Sequence, residues 1–221
     1  MQLIPEIIHH DSALLVINKP PGLLSLPDGY DPTKIHLRAS LEPNYGKLWI
    51  VHRLDKDTSG ILVLARDEET HVHLNTQFSD RKVKKIYHAI LVGVPSWEVE
   101  TINSHLRANV GRRKRTVVDS VGGKPAITEF QILERFRNFS LVEARPKTGR
   151  THQIRAHLYS LGHPILADPN YGGRKPSPFI NRLALHAKSL TLIHPKTGEV
   201  ESYEAKNFND FNTALDSLRM Q

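Results

Sequence analysis

Short apolar segments along the chain alternate with charged turns and with turns rich in glycine and proline. Residues 14–18 predict a buried strand, which ends at the Lys-Pro-Pro-Gly turn of residues 19–22. A short helix is predicted at 34–41 and a second apolar strand at 60–66. The next helix is expected to run to about residue 80. Acidic residues begin it and basic residues follow its end, which suits the helix dipole.

The rest of the chain predicts mainly strands joined by charged or glycine-containing turns. These strands are expected at 85–93, 98–107, 115–119, 124–134 and 139–145, with a last hairpin at 185–193 and 199–205. The clearest helix is 151–161, because its apolar residues share one face and a glycine follows it. A C-terminal helix is predicted at 208–218. We therefore predict an α+β fold with a central mixed, largely antiparallel sheet, flanking helices and an active-site cleft.

Composition narrows the possible partners and chemistries. The chain has 221 residues, a net charge of +7 and no cysteine. The positive charge favours an anionic partner, RNA first, although a generally basic protein fits it equally well. The missing cysteines exclude disulfides, thiolate zinc sites and cysteine catalysis. No phosphate-binding or dinucleotide-binding glycine motif and no His-Glu-x-x-His motif occurs, so we expect no metal and no nucleotide cofactor.

No apolar run is long enough to span a bilayer, and the N-terminal residues lack the features of a signal peptide. We therefore expect a cytoplasmic protein without a membrane partner.

The segment His-Arg-Leu-Asp-Lys-Asp-Thr-Ser-Gly at 52–60 places several charged side chains directly before an apolar strand. Loops at strand ends often hold functional groups on a rigid scaffold, which makes Asp55 a candidate catalytic carboxylate. A polar surface turn with local hydrogen bonds explains the composition of the segment at least as well.

A second segment, Lys-Thr-Gly-Arg-Thr-His-Gln-Ile-Arg at 147–155, lies at the start of the clearest helix. Arg150 or Arg155 could pair there with a carboxylate or a phosphate, although a helix with solvated arginines fits the composition too. In the strand at 85–93, Tyr87 is either a packing residue or a ring that stacks on a base.

Two basic clusters could contact RNA phosphates, or could simply be solvated surface. The first contains Arg81, Lys82, Lys84 and Lys85, and the second contains Arg107, Arg112, Arg113, Lys114 and Arg115.

Taken in order, the motifs of residues 10–206 resemble the RluA-type pseudouridine synthases. The matching pieces are NKPPGLLSLP at 18–27, VHRLDKDTSG at 51–60, KKIYHAILVG at 84–93, KPAITEFQILERF at 124–136, KTGRTHQIRAHLYSLGHPILADPNYG at 147–172 and RLALHAKSLTLIHP at 182–195. The resemblance implies one catalytic domain over residues 1–221 with the pseudouridine synthase fold. It also implies an isomerase that converts specific uridines of structured RNA into pseudouridine.

The resemblance implies a role for each matching residue. Asp55 matches the catalytic aspartate, and Arg53 matches an arginine that fills the gap left by the flipped base. Tyr87 matches the aromatic residue that stacks on the uracil. Arg150 best matches the basic partner of the aspartate, with Arg155 as a competitor. Residues expected to contact the substrate are His52, Arg53, Ile154, Arg155, Arg112, Arg113 and Arg115.

Only about ten residues precede the matching region, so no S4-type RNA-binding module is expected there. This short form most resembles enzymes that act on a stem-loop shared by large-subunit ribosomal RNA and tRNA. RNA is therefore the expected partner, and the enzyme is expected to be a monomer. Because isomerisation conserves all atoms, no cofactor is expected.

The sequence leaves two other functions open. One is a non-catalytic RNA-binding protein on the same scaffold. The other is a glycosidase, which would normally need a positioned water and often a second carboxylate, for which Asp57 is the nearest candidate.

Overall fold

The computed structural model describes residues 4–172 and 177–221, which form two compact units. Unit 1 contains Met1–Lys85 and Ala187–Lys206, and unit 2 contains Ile86–His186 and Asn207–Gln221. The boundaries between the units fall inside two strands, one starting at residue 84 and the other at residue 185. No helix in the described ranges is both long and apolar enough to cross a membrane.

Eleven strands and four helices are assigned in the described residues. The strands are β1 (Glu6–His10), β2 (Leu14–Lys19), β3 (Trp49–Ile50), β4 (Ser59–Ala65), β5 (Lys84–Val92), β6 (Val99–Val110), β7 (Arg115–Val118), β8 (Lys124–Arg135), β9 (Phe139–Pro146), β10 (Leu185–Ile193) and β11 (Val200–Glu204). The helices are α1 (Leu37–Tyr45), α2 (Glu68–Ser79), α3 (Gln153–Ser160) and α4 (Asn209–Arg219).

In unit 1, the strand order is β1, β2, β4 and β10, with β3 paired to β4 and β11 paired to β10. Strand β2 is antiparallel to both β1 and β4, and the β3–β4 and β10–β11 pairs are antiparallel too. Every residue of β2 and of β4 is buried, so these two strands form the interior of the unit. Helix α2 begins at its cap Asp67, whose side chain accepts a hydrogen bond from the amide of Thr70. The strand and helix predicted for residues 60–80 are therefore confirmed.

In unit 2, the strand order is β5, β9, β8, β6 and β7, and every neighbouring pair is antiparallel. A hydrophobic core lies between these strands and the helices α3 and α4, and it includes Phe130, Val142, Leu158 and Phe211. The predicted mixture of an antiparallel sheet with flanking helices is confirmed.

Some boundaries differ from the sequence prediction for local reasons. Helix α1 begins at Leu37 rather than residue 34, because the side chain of His36 caps the amide of Ala39. Helix α3 begins at Gln153 rather than residue 151, because His152 has a left-handed backbone with φ of 51°. Strand β1 was not predicted, since its sequence Glu-Ile-Ile-His-His does not alternate between apolar and polar residues.

Candidate active site

The loop that carries Asp55 is held by hydrogen bonds to its backbone on both sides of that residue. The Ser25 hydroxyl donates to the carbonyl of Leu54 at 2.8 Å and accepts from its amide at 3.2 Å. The Lys56 carbonyl accepts from the amide of Gly22 at 2.9 Å and from Lys19 Nζ at 3.0 Å. The carboxylate of Asp55 is therefore carried on a fixed backbone, which is the preorganisation that catalysis requires.

Lys19 is the centre of this support, because its side chain is completely buried. Its ammonium also donates to the carbonyls of Pro20 at 2.9 Å and Leu23 at 3.0 Å. A buried cation is tolerated only where polar partners replace its hydration. The Lys-Pro-Pro-Gly turn and the Asp55 loop are thereby joined at one ammonium group.

Two residues near Asp55, Gly60 and His52, have structural roles in the loop. Gly60 has φ of 112°, and a Cβ there would lie 2.2 Å from the carbonyl oxygen of Ala187, so only glycine fits. The His52 ring stacks on Phe78 at 4.7 Å, and its Nε2 accepts from the amide of Val63 at 3.0 Å. Burial and the nearby charge of Lys85 lower the pKa of His52 to about 3, so the ring is neutral.

Arg53 is solvent-exposed, whereas Leu54 beside it is buried. The alternation sends the Arg53 side chain outward from the loop that carries Asp55. This placement leaves its guanidinium accessible to a large substrate.

In unit 2, Tyr87 and Ile154 belong to one packed region. Tyr87 lies on β5 opposite Ala144 of β9, and its half-buried ring packs against the core that contains Ile154. Ile154 is itself buried in the first turn of α3. Both of these residues, which are expected to contact the substrate, thus belong to the same hydrophobic core of unit 2.

Arg155, the residue after Ile154, forms a buried two-point ion pair with Asp168. Its Nε lies 2.7 Å from Oδ2 and its Nη2 lies 2.8 Å from Oδ1. Asp168 is fully buried, and its Oδ1 also accepts from the amides of Asn170 and Tyr171. This geometry fixes the plane of the Arg155 guanidinium.

The Arg150 side chain is bound to the backbone of β8. Its Nε donates to the carbonyl of Pro125 at 3.1 Å, near the start of β8. Tyr87 aligns across β9 with Phe130 of β8. Five residues of strand separate Pro125 from Phe130, which is about 17 Å along the sheet. The carbonyl that binds Arg150 therefore lies well along β8 from the residue that aligns with Tyr87.

Thr148, Gln153 and His157 belong to an internal network that attaches α3 to the sheet. Gln153 accepts from the Thr148 hydroxyl at 2.7 Å and donates to the Thr128 hydroxyl at 2.9 Å. His157 Nδ1 lies 2.9 Å from the same Thr128 hydroxyl, and its Nε2 lies 3.2 Å from the hydroxyl of Ser104. These side chains are structural, because each partner lies inside the protein.

The second basic cluster lies mainly at the tip of a hairpin, formed by β6, β7 and the turn of residues 111–114, which we call the basic hairpin. Arg112 and Arg113 are exposed, and Arg115 lies 5.8 Å from the centre of the Tyr159 ring. In the first cluster, Arg81, Lys82 and Lys84 are exposed. Lys85 differs from these three because it is half-buried, and burial lowers its pKa.

Four residues that support these groups were not identified from the sequence: Lys19, Ser25, Asp168 and Tyr171. Each lies within a segment that carried the family resemblance. The sequence signal that could have identified them is a charged or polar residue within an apolar or turn segment. Such a residue is seldom buried unless it has a polar partner. Pattern alone could not have supplied their partners, which lie up to 55 residues away along the chain.

We expect mild acid to destabilise the fold through His157. Burial lowers its pKa from 6.5 to about 4, so the unfolded chain binds a proton first as the pH falls. Stability is therefore lost between about pH 6.5 and pH 4, and the loss between pH 7 and pH 5 should be roughly 2 kcal/mol. Urea unfolding of wild type and His157→Gln at both pH values measures it. The variant should lose less stability on acidification, whereas exposed His105→Gln should behave as wild type.

Comparison with known proteins places this geometry in a class. The family model described as RNA pseudouridylate synthase matches residues 13–160. The chain therefore belongs to the RNA pseudouridine synthase family, whose members are isomerases. The family resemblance and the enzyme class inferred from the motifs are confirmed.

Individual relatives are similar to this protein over nearly the whole chain. The ribosomal large subunit pseudouridine synthase D of Zymomonas mobilis is 39% identical, with 96% of this chain and 72% of the relative covered. The dual-specificity RNA pseudouridine synthase RluA of Haemophilus influenzae is also 39% identical, with 91% and 93% covered. The solved structure of human RNA pseudouridylate synthase domain containing 4 has a TM-score of 0.80 at 30% identity, with 97% and 93% covered.

Proposed function

We propose that this enzyme converts specific uridines of ribosomal RNA or tRNA stem-loops into pseudouridine, with Asp55 as the catalytic carboxylate. The observation that carries the proposal is the support of the Asp55 loop. Lys19, Ser25 and Gly22 bind the backbone immediately before and after this one residue. The names of the relatives support a ribosomal substrate, and the dual-specificity relative supports a stem-loop that more than one RNA can present.

The reaction breaks the bond between the sugar and the uracil nitrogen, turns the base and joins it through carbon. An ionised carboxylate can attack the sugar, stabilise its positive charge or accept a sugar proton, and Asp55 serves one of these roles. The atoms of the substrate are conserved, so the chain's own residues suffice without a cofactor. We propose that residues 1–221 act as one catalytic domain, as a monomer in the cytoplasm.

The target base must leave its stack before it can react, at a cost of a few kcal/mol. We propose that Arg53 occupies the vacated space, since its exposed side chain follows the same loop as Asp55. Tyr87 would then stack on the flipped uracil, and Ile154 of the same hydrophobic core would support the site. His52 contributes by packing the loop, because its ring is neutral and its Nε2 is occupied by the amide of Val63.

We propose Arg155 as the basic partner of Asp55 and give Arg150 a structural role. The Arg155 guanidinium is buried, fixed by Asp168 and adjacent to Ile154. Arg150 is less buried and caps the start of β8. A carboxylate needs a cation held in one orientation, which supports Arg155 for this role.

Tritium release from RNA that contains 5-tritiated uridine tests the proposed function. We expect release from a uridine-containing stem-loop and none from free UMP, because Arg53 and the basic surface require a folded RNA. Mapping pseudouridines in ribosomal RNA and tRNA from cells with and without the gene would identify the site. Unchanged maps, or efficient release from UMP, would contradict the proposal. Release of free uracil would instead indicate a glycosidase.

RNA affinity should depend strongly on salt, because the basic hairpin presents arginines to phosphates. Replacing Arg112, Arg113 and Arg115 with Ala should flatten the slope of log Kd against log salt by about one for each phosphate that the variant no longer neutralises. Arg219→Ala is the matched control, since that exposed arginine pairs with Glu134 at 2.8 Å. Anisotropy titrations of a labelled stem-loop at several salt concentrations measure the slope. An unchanged slope in the triple variant would place the hairpin outside the RNA interface.

A further inference from the structure

The base of the basic hairpin meets one buried side chain, Tyr171. The Tyr171 hydroxyl donates to the carbonyl of Thr116 on β7 at 2.9 Å and accepts from the amide of the same residue at 2.8 Å. Both Tyr171 and Thr116 are buried. One hydroxyl therefore satisfies both backbone groups of a single strand residue, directly after Arg115.

These two hydrogen bonds lie where the hairpin's own ladder is irregular. Strands β6 and β7 pair Arg107 with Val117 and then Val110 with Arg115, so Thr116 has no partner in the register. A buried backbone group without a partner is costly, and the tyrosine hydroxyl takes the place of a strand neighbour. The hairpin is thus attached to the rest of unit 2 at the point where its pairing is weakest.

The other end of Tyr171 is joined to the Arg155–Asp168 ion pair. The amide of Tyr171 donates to Asp168 Oδ1 at 3.2 Å, and its ring lies 5.2 Å from the guanidinium carbon of Arg155. The Tyr159 ring continues the contact, since it lies 5.6 Å from the Tyr171 ring and 5.8 Å from the guanidinium of Arg115. Two adjacent aromatic rings thus lie between the arginine of the hairpin and the buried arginine, and each ring contacts one cation.

Backbone conformation supports a functional reason for this arrangement. Ala167, directly before Asp168, has φ of 56°, and His152, directly before α3, has φ of 51°. His152 Nδ1 also lies 3.5 Å from the Tyr171 hydroxyl. Left-handed backbone is unfavourable for residues other than glycine and concentrates at functional sites. Both strained residues adjoin the groups that Tyr171 connects.

We propose that Tyr171 is a positioning residue that fastens the basic hairpin to the Arg155–Asp168 pair, so that the grip of the hairpin on RNA phosphates depends on the tyrosine hydroxyl. The proposal rests on the proposed function in taking the hairpin as an RNA contact and Arg155 as part of the catalytic site. If the hairpin occupies its binding pose for only a fraction of the time, the apparent Kd for RNA rises in inverse proportion to that fraction.

Tyr171→Phe tests the fastening, because it removes both hydrogen bonds to Thr116 and keeps the ring beside Arg155. We expect the Kd for a fluorescein-labelled uridine-containing stem-loop to rise about tenfold, while the single-turnover rate at saturating RNA stays within about twofold of wild type. Tyr159→Phe is the matched control, since the Tyr159 side chain is exposed and its ring makes the contacts with Arg115 and Tyr171. Its Kd should stay within about twofold of wild type.

Asp168→Asn tests the role of the Arg155–Asp168 ion pair. It weakens the ion pair that orients Arg155 and leaves the bonds to Thr116 in place. We expect the single-turnover rate to fall at least about tenfold with little change in Kd. Tyr171→Phe is thus expected to change mainly the Kd, and Asp168→Asn mainly the rate. A general loss of folding would change both quantities in both variants.

A double-mutant cycle and a proteolysis measurement complete the test. Replacing Arg112 and Arg113 with Ala should weaken binding much less in the Tyr171→Phe background than in wild type, because the unfastened hairpin already fails to present them. Trypsin should also cut the turn at residues 112–114 faster in Tyr171→Phe than in Tyr159→Phe.

Three results would overturn the proposal: an unchanged Kd for Tyr171→Phe, independent effects in the cycle, or unchanged cleavage of the turn. Failure of the proposed function would give a different result, namely no tritium release by the wild type from any RNA. The trypsin measurement does not depend on activity, so it would still test whether Tyr171 fastens the hairpin.

Discussion

Asp55→Asn should abolish turnover while RNA binding survives. Asparagine keeps the size of the side chain and removes the negative charge, so it can neither attack the sugar nor stabilise a cation there. The backbone of the loop should persist, because hydrogen bonds from Lys19 and Ser25 hold its carbonyl and amide groups. We expect tritium release to fall by about 10⁴-fold or more, with Kd for the stem-loop within about threefold of wild type.

Asp57→Asn provides the matched control for this prediction. Asp57 is a half-buried carboxylate in the same loop, two residues after Asp55. A synthase that uses one carboxylate should retain most of its activity in this variant, whereas a glycosidase with a second carboxylate would lose it. Multiple turnover by purified Asp55→Asn would refute the assignment of Asp55. Inactivity of Asp57→Asn with intact folding and binding would reopen the two-carboxylate mechanism.

The elements of the fold were predictable where their local signals were strong. Helix α2 has an acidic cap and first turn, and strands β2 and β4 contain the uninterrupted apolar runs of residues 14–17 and 61–65. Strand β1 and the two-residue β3 were missed, because their formation depends on pairing with neighbours rather than on their own pattern. The start of α3 was placed two residues early, since nothing in the sequence signals a left-handed histidine.

The candidate site was predictable as a set of motifs but not as a set of contacts. Residues 147–155 contain two arginines, and their motif gives no reason to prefer the buried one. The distinction comes from Asp168, which lies 13 residues beyond Arg155 and is joined to it by two hydrogen bonds. Gln153 and His157 both bind the Thr128 hydroxyl inside unit 2, and no local sequence signal indicates this structural role.

Because Arg155 is paired with Asp168 and Arg150 is bound to a backbone carbonyl, replacement by lysine should have different effects at the two positions. Arg155→Lys keeps a positive charge beside buried Asp168, which avoids the roughly 3–5 kcal/mol typical of leaving a buried charge unpaired. It removes the planar fork, so the cation proposed to face Asp55 loses its fixed orientation. We expect the single-turnover rate at saturating RNA to fall by about 10³-fold.

Arg150→Lys is the matched control and should retain the rate within about threefold, because the Arg150 side chain donates to the carbonyl of Pro125, which a lysine ammonium can also reach. Thermal unfolding of both variants separates lost catalysis from lost folding, and Arg155→Lys must remain folded at the assay temperature for its rate to count. Full activity of Arg155→Lys together with inactivity of Arg150→Lys would transfer the role to Arg150. The fixed, buried guanidinium would then serve only to hold Asp168 and the start of α3.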